Sequence, residues 1–173
     1  MVLMASSRNE VGTRSYSPVV LLLVALFALG LQSLLSLHFT RFDLIDLPLL
    51  VVIYYAISRQ EPISATFVGA LIGIAQDALT HHPLGVFGIS KAATGYMAAS
   101  LGARVDTENP GARFLVVFAF TWAQTFILWL LRRDMLGEPY ALHSMHELVR
   151  ALANAVVGVV LFALLDRTRR DED

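Results

Sequence analysis

Long apolar runs separated by short polar breaks make up most of the chain. A serine-rich polar lead over residues 1–17 is expected to be disordered, because it has too little apolar surface to bury. At Pro18 it gives way to a run that stays apolar to about Leu37. Proline suits a helix's first turn, where its missing N–H costs nothing. About 20 residues at 1.5 Å each span roughly 30 Å, the thickness of a bilayer's hydrocarbon core. Arg8 and Arg14 ahead of this run look like the start of a secretory signal, but no small-x-small cleavage site follows. The run reads as a first membrane helix.

The same reading applied along the chain predicts helices over about 18–37, 42–58, 63–79, 84–101, 114–131 and 147–165. His38, Arg41, Asp43 and Asp46 fill the first loop. The second helix is short, since the twelve residues between Asp46 and Arg59 give only about 18 Å. Starting it near Phe42 lengthens it and puts Asp43 and Asp46 at its N-terminus, where carboxylates are favoured. A tilted or re-entrant element is the alternative. Arg59-Gln60-Glu61-Pro62 forms a tight turn, and Asn109-Pro110-Gly111 breaks the chain before the fifth helix. Trp129 falls where an interfacial aromatic belt would lie. Residues 132–146 form the longest loop, and 167–173 a charged tail.

Composition supports this picture. The chain is 56% hydrophobic and 16% charged, with a mean hydropathy of +0.62. A soluble domain carries about 25% charged residues on amphipathic helices. The expectation is therefore an all-α polytopic membrane protein with six spans in one domain, residues 18–166. Six spans put both termini on one side, together with Arg8, Arg14, Arg59, Arg104, Arg113, Arg167, Arg169 and Arg170. The other side holds Arg41, Arg132, Arg133 and Arg150, so the arginine bias places both termini in the cytoplasm. A net charge of −1 leaves no footprint for nucleic acid, and the lack of cysteine excludes disulfides, thiolate metal sites and palmitoylation.

The stretch from Gly69 to Gly85 holds the groups that cost most in a membrane. Ala65, Gly69, Gly73 and Asp77 recur every four residues, with Gln76 beside Asp77. After Pro83-Leu84 a second small-residue stripe follows: Gly85, Gly88, Ala92, Gly95, Ala99 and Gly102. Such stripes let helix backbones approach closely. Lys91 lies beside the second stripe, and in an antiparallel hairpin it could pair with Asp77. Otherwise the two groups cap or snorkel separately. Glu147, Arg150, Asn154 and Gly158 form another stripe on the sixth helix, suited to structural hydrogen bonds with Gln124 as a possible partner.

All five histidines fall on the predicted outer side. Asp77 with His81, and His143 with His146, have spacings compatible with metal ligation, but no ligand set is complete. The chain has no zinc-protease motif, nucleophile elbow or phosphate-cradling loop. A transporter would mark broken helices in two corresponding halves, and here only one turn is marked. The residues alone lead to a six-helix scaffold with one polar hairpin and no cofactor.

The run Leu47 to Tyr55, the pattern Gly69-x3-Gly73-x2-Gln76-Asp77, then Pro83-Leu84-Gly85 and Gly95-Tyr96, resemble the rod shape-determining MreD family. The likeness extends from about Pro18 to Asp166, and its most specific part is the Gln-Asp…Pro-Leu-Gly hairpin. It implies a non-enzymatic bacterial inner-membrane subunit of the cell-elongation machinery. Its implied partners are MreC, MreB, RodA and a class B penicillin-binding protein. It also implies a fold similar to the substrate-binding subunits of energy-coupling-factor vitamin transporters. Gly69, Gly73, Gln76, Asp77, Pro83, Leu84, Gly85, Lys91, Gly95, Tyr96, Arg150 and Asn154 are then candidates for structure and partner docking. The long polar lead and Lys91 depart from the pattern the resemblance implies, so any role of Lys91 is local to this chain. A vitamin-binding subunit is one alternative function; an intramembrane hydrolase using Asp77, His81 and His82 is another.

Overall fold

The computed structural model describes residues 18–38, 44–80, 83–102, 104, 109–137 and 144–167. The expected disordered lead, the charged tail after Arg167, and His81, His82 and His143 lie outside them. The described chain is helical, with no strand: α1 (Pro18–His38), α2 (Leu47–Arg59), α3 (Pro62–Thr80), α4 (Val86–Gly102), α5 (Pro110–Leu130) and α6 (Ser144–Arg167). A π-helical turn, Leu131–Met135, extends α5.

Several boundaries follow from local chemistry. Asn109 accepts a hydrogen bond from the Gly111 N–H at 2.8 Å, so α5 starts at Pro110, earlier than the expected residue 114. Gln60 ends α2 in the left-handed region at φ 55°, its N–H bonding to the Ala56 carbonyl at 2.9 Å. The expected start of α2 near Phe42 is corrected. Leu44 to Asp46 are not α-helical, and the Asp46 side chain caps α2 by accepting the Leu49 N–H at 3.0 Å. Its thirteen residues give α2 a length of about 20 Å.

This short helix is the centre of the bundle. From Pro48 to Ile57 every residue of α2 is buried, as befits a helix apolar on all sides. It packs against each of the other five helices. Leu49, Leu50, Ile53 and Tyr54 join Ala98 of α4, Val117 and Phe120 of α5, and Ala155 and Phe162 of α6 in the main core. Val51 and Val52 pack with Ala25, Ala28 and Leu29 of α1 and Ile72 of α3.

The most extensive helix pair is the α3–α4 hairpin. Its two small-residue stripes meet face to face. Gly69 lies against the Lys91 backbone, Gly73 against the backbone of Phe87 and Gly88, and Gly95 against Ala65. A Cβ added at Gly95 would sit 2.6 Å from the Ala65 carbonyl oxygen, a distance that real contacts do not reach. Among the described residues, three helices are long and apolar enough to cross a membrane: Pro62–Thr80, the continuous Pro110–Met135, and Met145–Arg167. Leu23–Leu34 and Leu47–Arg59 are shorter apolar helices. Large side chains such as Phe27, Phe67, Leu71, Leu115, Phe126 and Val156 are more than half exposed, the pattern of a bundle whose outer surface meets lipid.

Candidate functional site

Two polar arrangements occupy the end of the bundle where α3 meets α4, and each satisfies a different backbone problem. The first is the hairpin. Asp77 is fully buried at the end of α3. Its Oδ2 accepts the N–H groups of Gly85 at 2.8 Å and Gly88 at 3.3 Å, and its Oδ1 accepts that of Phe87 at 3.1 Å. These are donors that the first turn of α4 leaves without intrahelical partners, at the positive end of the helix dipole. A carboxylate from the preceding helix therefore caps the next one. Gly85 makes the turn at φ 101°, where other residues are strained. Pro83 and Leu84 lie exposed at its tip.

The expected pairing of Asp77 with Lys91 is corrected. Lys91, buried to 0% exposure, donates to Asp46 Oδ2 at 2.7 Å instead. Both Asp77 oxygens are already engaged by backbone N–H groups of α4 and its turn. Lys91 reaches across the bundle to the entrance of α2.

That entrance is the second arrangement. At about 20 Å, α2 is shorter than a roughly 30 Å hydrocarbon layer, and the non-helical residues Leu44 to Asp46 lead into it, with Asp46 buried. Buried backbone groups there need partners, and other helices supply them. Asn154 of α6 does so twice: its Oδ1 accepts the Asp46 N–H at 2.9 Å, and its Nδ2 donates to the Leu44 carbonyl at 2.9 Å. Gln32 of α1 accepts the Leu47 N–H at 3.3 Å. Asp46 itself caps the Leu49 N–H. The buried carboxylate then needs countercharge. Oδ2 receives Lys91 at 2.7 Å and the Gln124 amide at 2.8 Å, with Arg150 at 3.9 Å. Lys91 also approaches Gln124 Oε1 at 3.4 Å and lies 5.0 Å above the Phe87 ring centre. Glu147 extends the cluster, accepting from Thr125 at 3.3 Å and lying 3.8 Å from Arg150. Two acidic and two basic side chains leave it formally neutral.

The stripe expected on α6 does face the interior. Asn154 is fully buried, Glu147 is 5% exposed, and Gly158 packs against Val117 and Leu50. Its link to Gln124 runs through Asp46. Gln76 is buried with its Oε1 unpartnered, while Tyr96 is half exposed. Among the described residues no group of three or more side chains could hold a metal; His146 is exposed and lies 4.0 Å from Glu147.

A third polar group lies at the opposite end of the bundle. Asp166 of α6 accepts from Tyr54 at 2.9 Å and pairs with Arg113 of α5 at 2.6 Å. Tyr55 and Ser64 share a hydrogen bond nearby, linking α2 to α3. No sequence pattern announced either contact, because the partners are separated by most of the chain or lie in different helices.

The model of the family described as rod shape-determining protein MreD matches residues 13–166, nearly the whole chain. The chain belongs to the MreD family. The match spans the α3–α4 hairpin, the α2 entrance and every helix of the bundle. For this MreD chain it carries a role in rod-shape determination, at the membrane, in a family of structural proteins not known for catalysis. No curated protein and no solved structure matches it.

Proposed function

We propose that this MreD chain is a non-enzymatic scaffold of the bacterial cell-elongation complex, organising peptidoglycan synthesis along the lateral wall. It crosses the inner membrane six times with both termini in the cytoplasm, in a bundle similar to the vitamin-binding subunits of energy-coupling-factor transporters. MreC is its direct membrane partner. MreB, RodA and a class B penicillin-binding protein engage directly or through MreC.

The observation that carries this reading is how the buried polar groups are used. Asp46, Lys91, Gln124, Asn154 and Asp77 bond one another or the backbone of helix ends. They fix the relative positions of α2, α3, α4, α5 and α6, and they support rigidity rather than turnover. The vitamin-binding alternative requires convergent groups free for a ligand. The hydrolase alternative requires Asp77 free to move protons, yet both its oxygens accept backbone N–H groups. Neither gains support.

Depletion in a rod-shaped host, with affinity recovery of the tagged chain, tests the proposal. Cells should round up, and MreC should co-purify at near-stoichiometric levels. Unchanged rods, or a chain recovered without MreC, would refute it.

A further inference from the structure

The guanidinium of Arg150 is the part of the buried cluster whose hydrogen-bonding capacity goes unused. It presents five N–H donors in a rigid planar fork. Among the described residues it makes no hydrogen bond. Nη2 stands 3.9 Å from Asp46 Oδ2 and Nη1 3.8 Å from Glu147 Oε2, both too long for one, and Nε is buried without a partner. Asp46, Lys91, Gln124 and Asn154, by contrast, bond one another or nearby backbone at 2.7–3.0 Å. Glu147 is also poorly served, accepting from Thr125 at 3.3 Å.

A buried donor with no acceptor keeps the full cost of leaving water, and a charged donor keeps more. The acceptor must come from inside the cluster, because Nε is buried and both terminal nitrogens face carboxylates. Nor does the charge call for another ion, since Asp46 and Glu147 already balance Lys91 and Arg150. A separation just under 4 Å is too long for a direct bond but is spanned by one water with two legs of about 2.9 Å. Nε–H and one Nη2–H lie on the same edge of the fork and point the same way, so a single oxygen accepts both. That oxygen would then donate to Asp46, the carboxylate nearest this edge. Three bonds are the usual number for a buried water. Access is at hand: the Arg150 side chain is 15% exposed and lies six residues from the start of α6 at Ser144. Charges within apolar helices commonly face such water-lined interiors.

We propose that Arg150 holds a structural water on its Nε–Nη2 edge, bridged to Asp46 and exchanging with the aqueous phase at the end of the bundle where α6 begins. Arg150 is a positioning residue: it acts on Asp46 through the water, while Lys91 and Gln124 bond the same carboxylate directly. The cluster therefore has a dry side on α4 and α5 and a wet side on α6. No other protein takes part, so the site stands independently of the scaffold reading.

Magic-angle-spinning NMR of the labelled full chain in liposomes tests this, by following magnetisation transferred from water to the Arg150 Nε–H. The signal is assigned by its loss in Arg150→Lys, or in Arg150→Gln if the lysine variant does not fold. The reference is the Val117 backbone amide, in the apolar core at 0% exposure. Transfer to Arg150 several-fold faster than to Val117 is the expected result. A rate matching that of Val117 overturns the proposal, and so does transfer from lipid protons in place of water. A structure of the wild-type chain at about 2 Å resolution should show a density peak within about 3.2 Å of both Arg150 Nε and Asp46 Oδ2. A guanidinium found in direct contact with either carboxylate, with no such peak, overturns the bridge. Each of these outcomes leaves the scaffold reading as it stands.

Discussion

Replacing Lys91 with methionine tests whether the cluster at the α2 entrance is an electrostatic unit. The substitution preserves most of the side-chain volume and removes the ammonium that bonds Asp46 Oδ2 at 2.7 Å. Asp46, 2% exposed, would keep the Gln124 amide at 2.8 Å and a distant Arg150, leaving one uncompensated negative charge in the cluster. Breaking one side of a buried ion pair costs about 3–5 kcal/mol, because the remaining charge is stranded away from water. Asp46→Asn strands Lys91 in the same way, with a comparable cost. In the double variant both charges are gone, the asparagine introduced by Asp46→Asn can still cap Leu49, and Glu147 with Arg150 remain balanced. Its loss should be well below the sum of the two singles, with a coupling energy of about 2–3 kcal/mol. Reversible unfolding in mixed micelles, followed by tryptophan fluorescence from Trp122 and Trp129, measures all four corners of the cycle. Additive losses, with coupling below about 0.5 kcal/mol, would refute the electrostatic account.

Asp77→Ala removes the acceptor for three backbone N–H groups at the start of α4 and should lower stability by about 2–4 kcal/mol, with Asp77→Asn intermediate; the same unfolding titration reads both. The Asp77→Asn with Lys91→Met cycle should be close to additive, since Lys91 bonds Asp46 and the backbone satisfies Asp77. Gly73→Val forces its side chain into the Phe87–Gly88 backbone and should abolish folded protein on size-exclusion chromatography. Gly30→Ala, with nothing within 4 Å of its added Cβ, should stay within about 0.5 kcal/mol of wild type. Asp166→Asn loosens the link between Arg113 and Tyr54 and should cost about 1 kcal/mol, less than any change at Asp46, because the pair is partly exposed.

The readable parts of the structure were those set by local period and spacing. Glycines four apart in α3 and a three-four alternation in α4 marked the hairpin seam, because small residues permit close approach in any membrane helix pair. Gln76-Asp77 ahead of Pro83-Leu84-Gly85 located the turn, and Asp77 serves there as a clamp. Arg150 and Asn154 were singled out from their stripe. What sequence proximity got wrong was the destination of Lys91. A hairpin places Asp77 close in sequence, whereas the true partner is 45 residues away on the α1–α2 connection. Pairing across a bundle depends on how helices are ordered around α2, which no single-helix period encodes. The usable signal was Asp46 itself, a carboxylate too close to a short apolar run to lie outside it.

The shortness of α2 and the buried charges have one cause. A thirteen-residue helix buried on all sides is too short to reach both surfaces of a bilayer, and non-helical backbone leads into it at the buried Asp46. Gln32 and Asn154 satisfy that backbone directly, and Asp46 turns it into a capped helix start. Once a carboxylate sits there, neutrality requires a buried cation, which explains a lysine in a helix that carries no other charge. Gln124 and Arg150 then bring α5 and α6 to the same point. A longer apolar α2 would need none of these residues. Two changes that lengthened α2 outward, such as Leu44→Ala with Asp46→Leu, would therefore make Lys91 a liability, and in that background Lys91→Met should stabilise the protein instead of destabilising it.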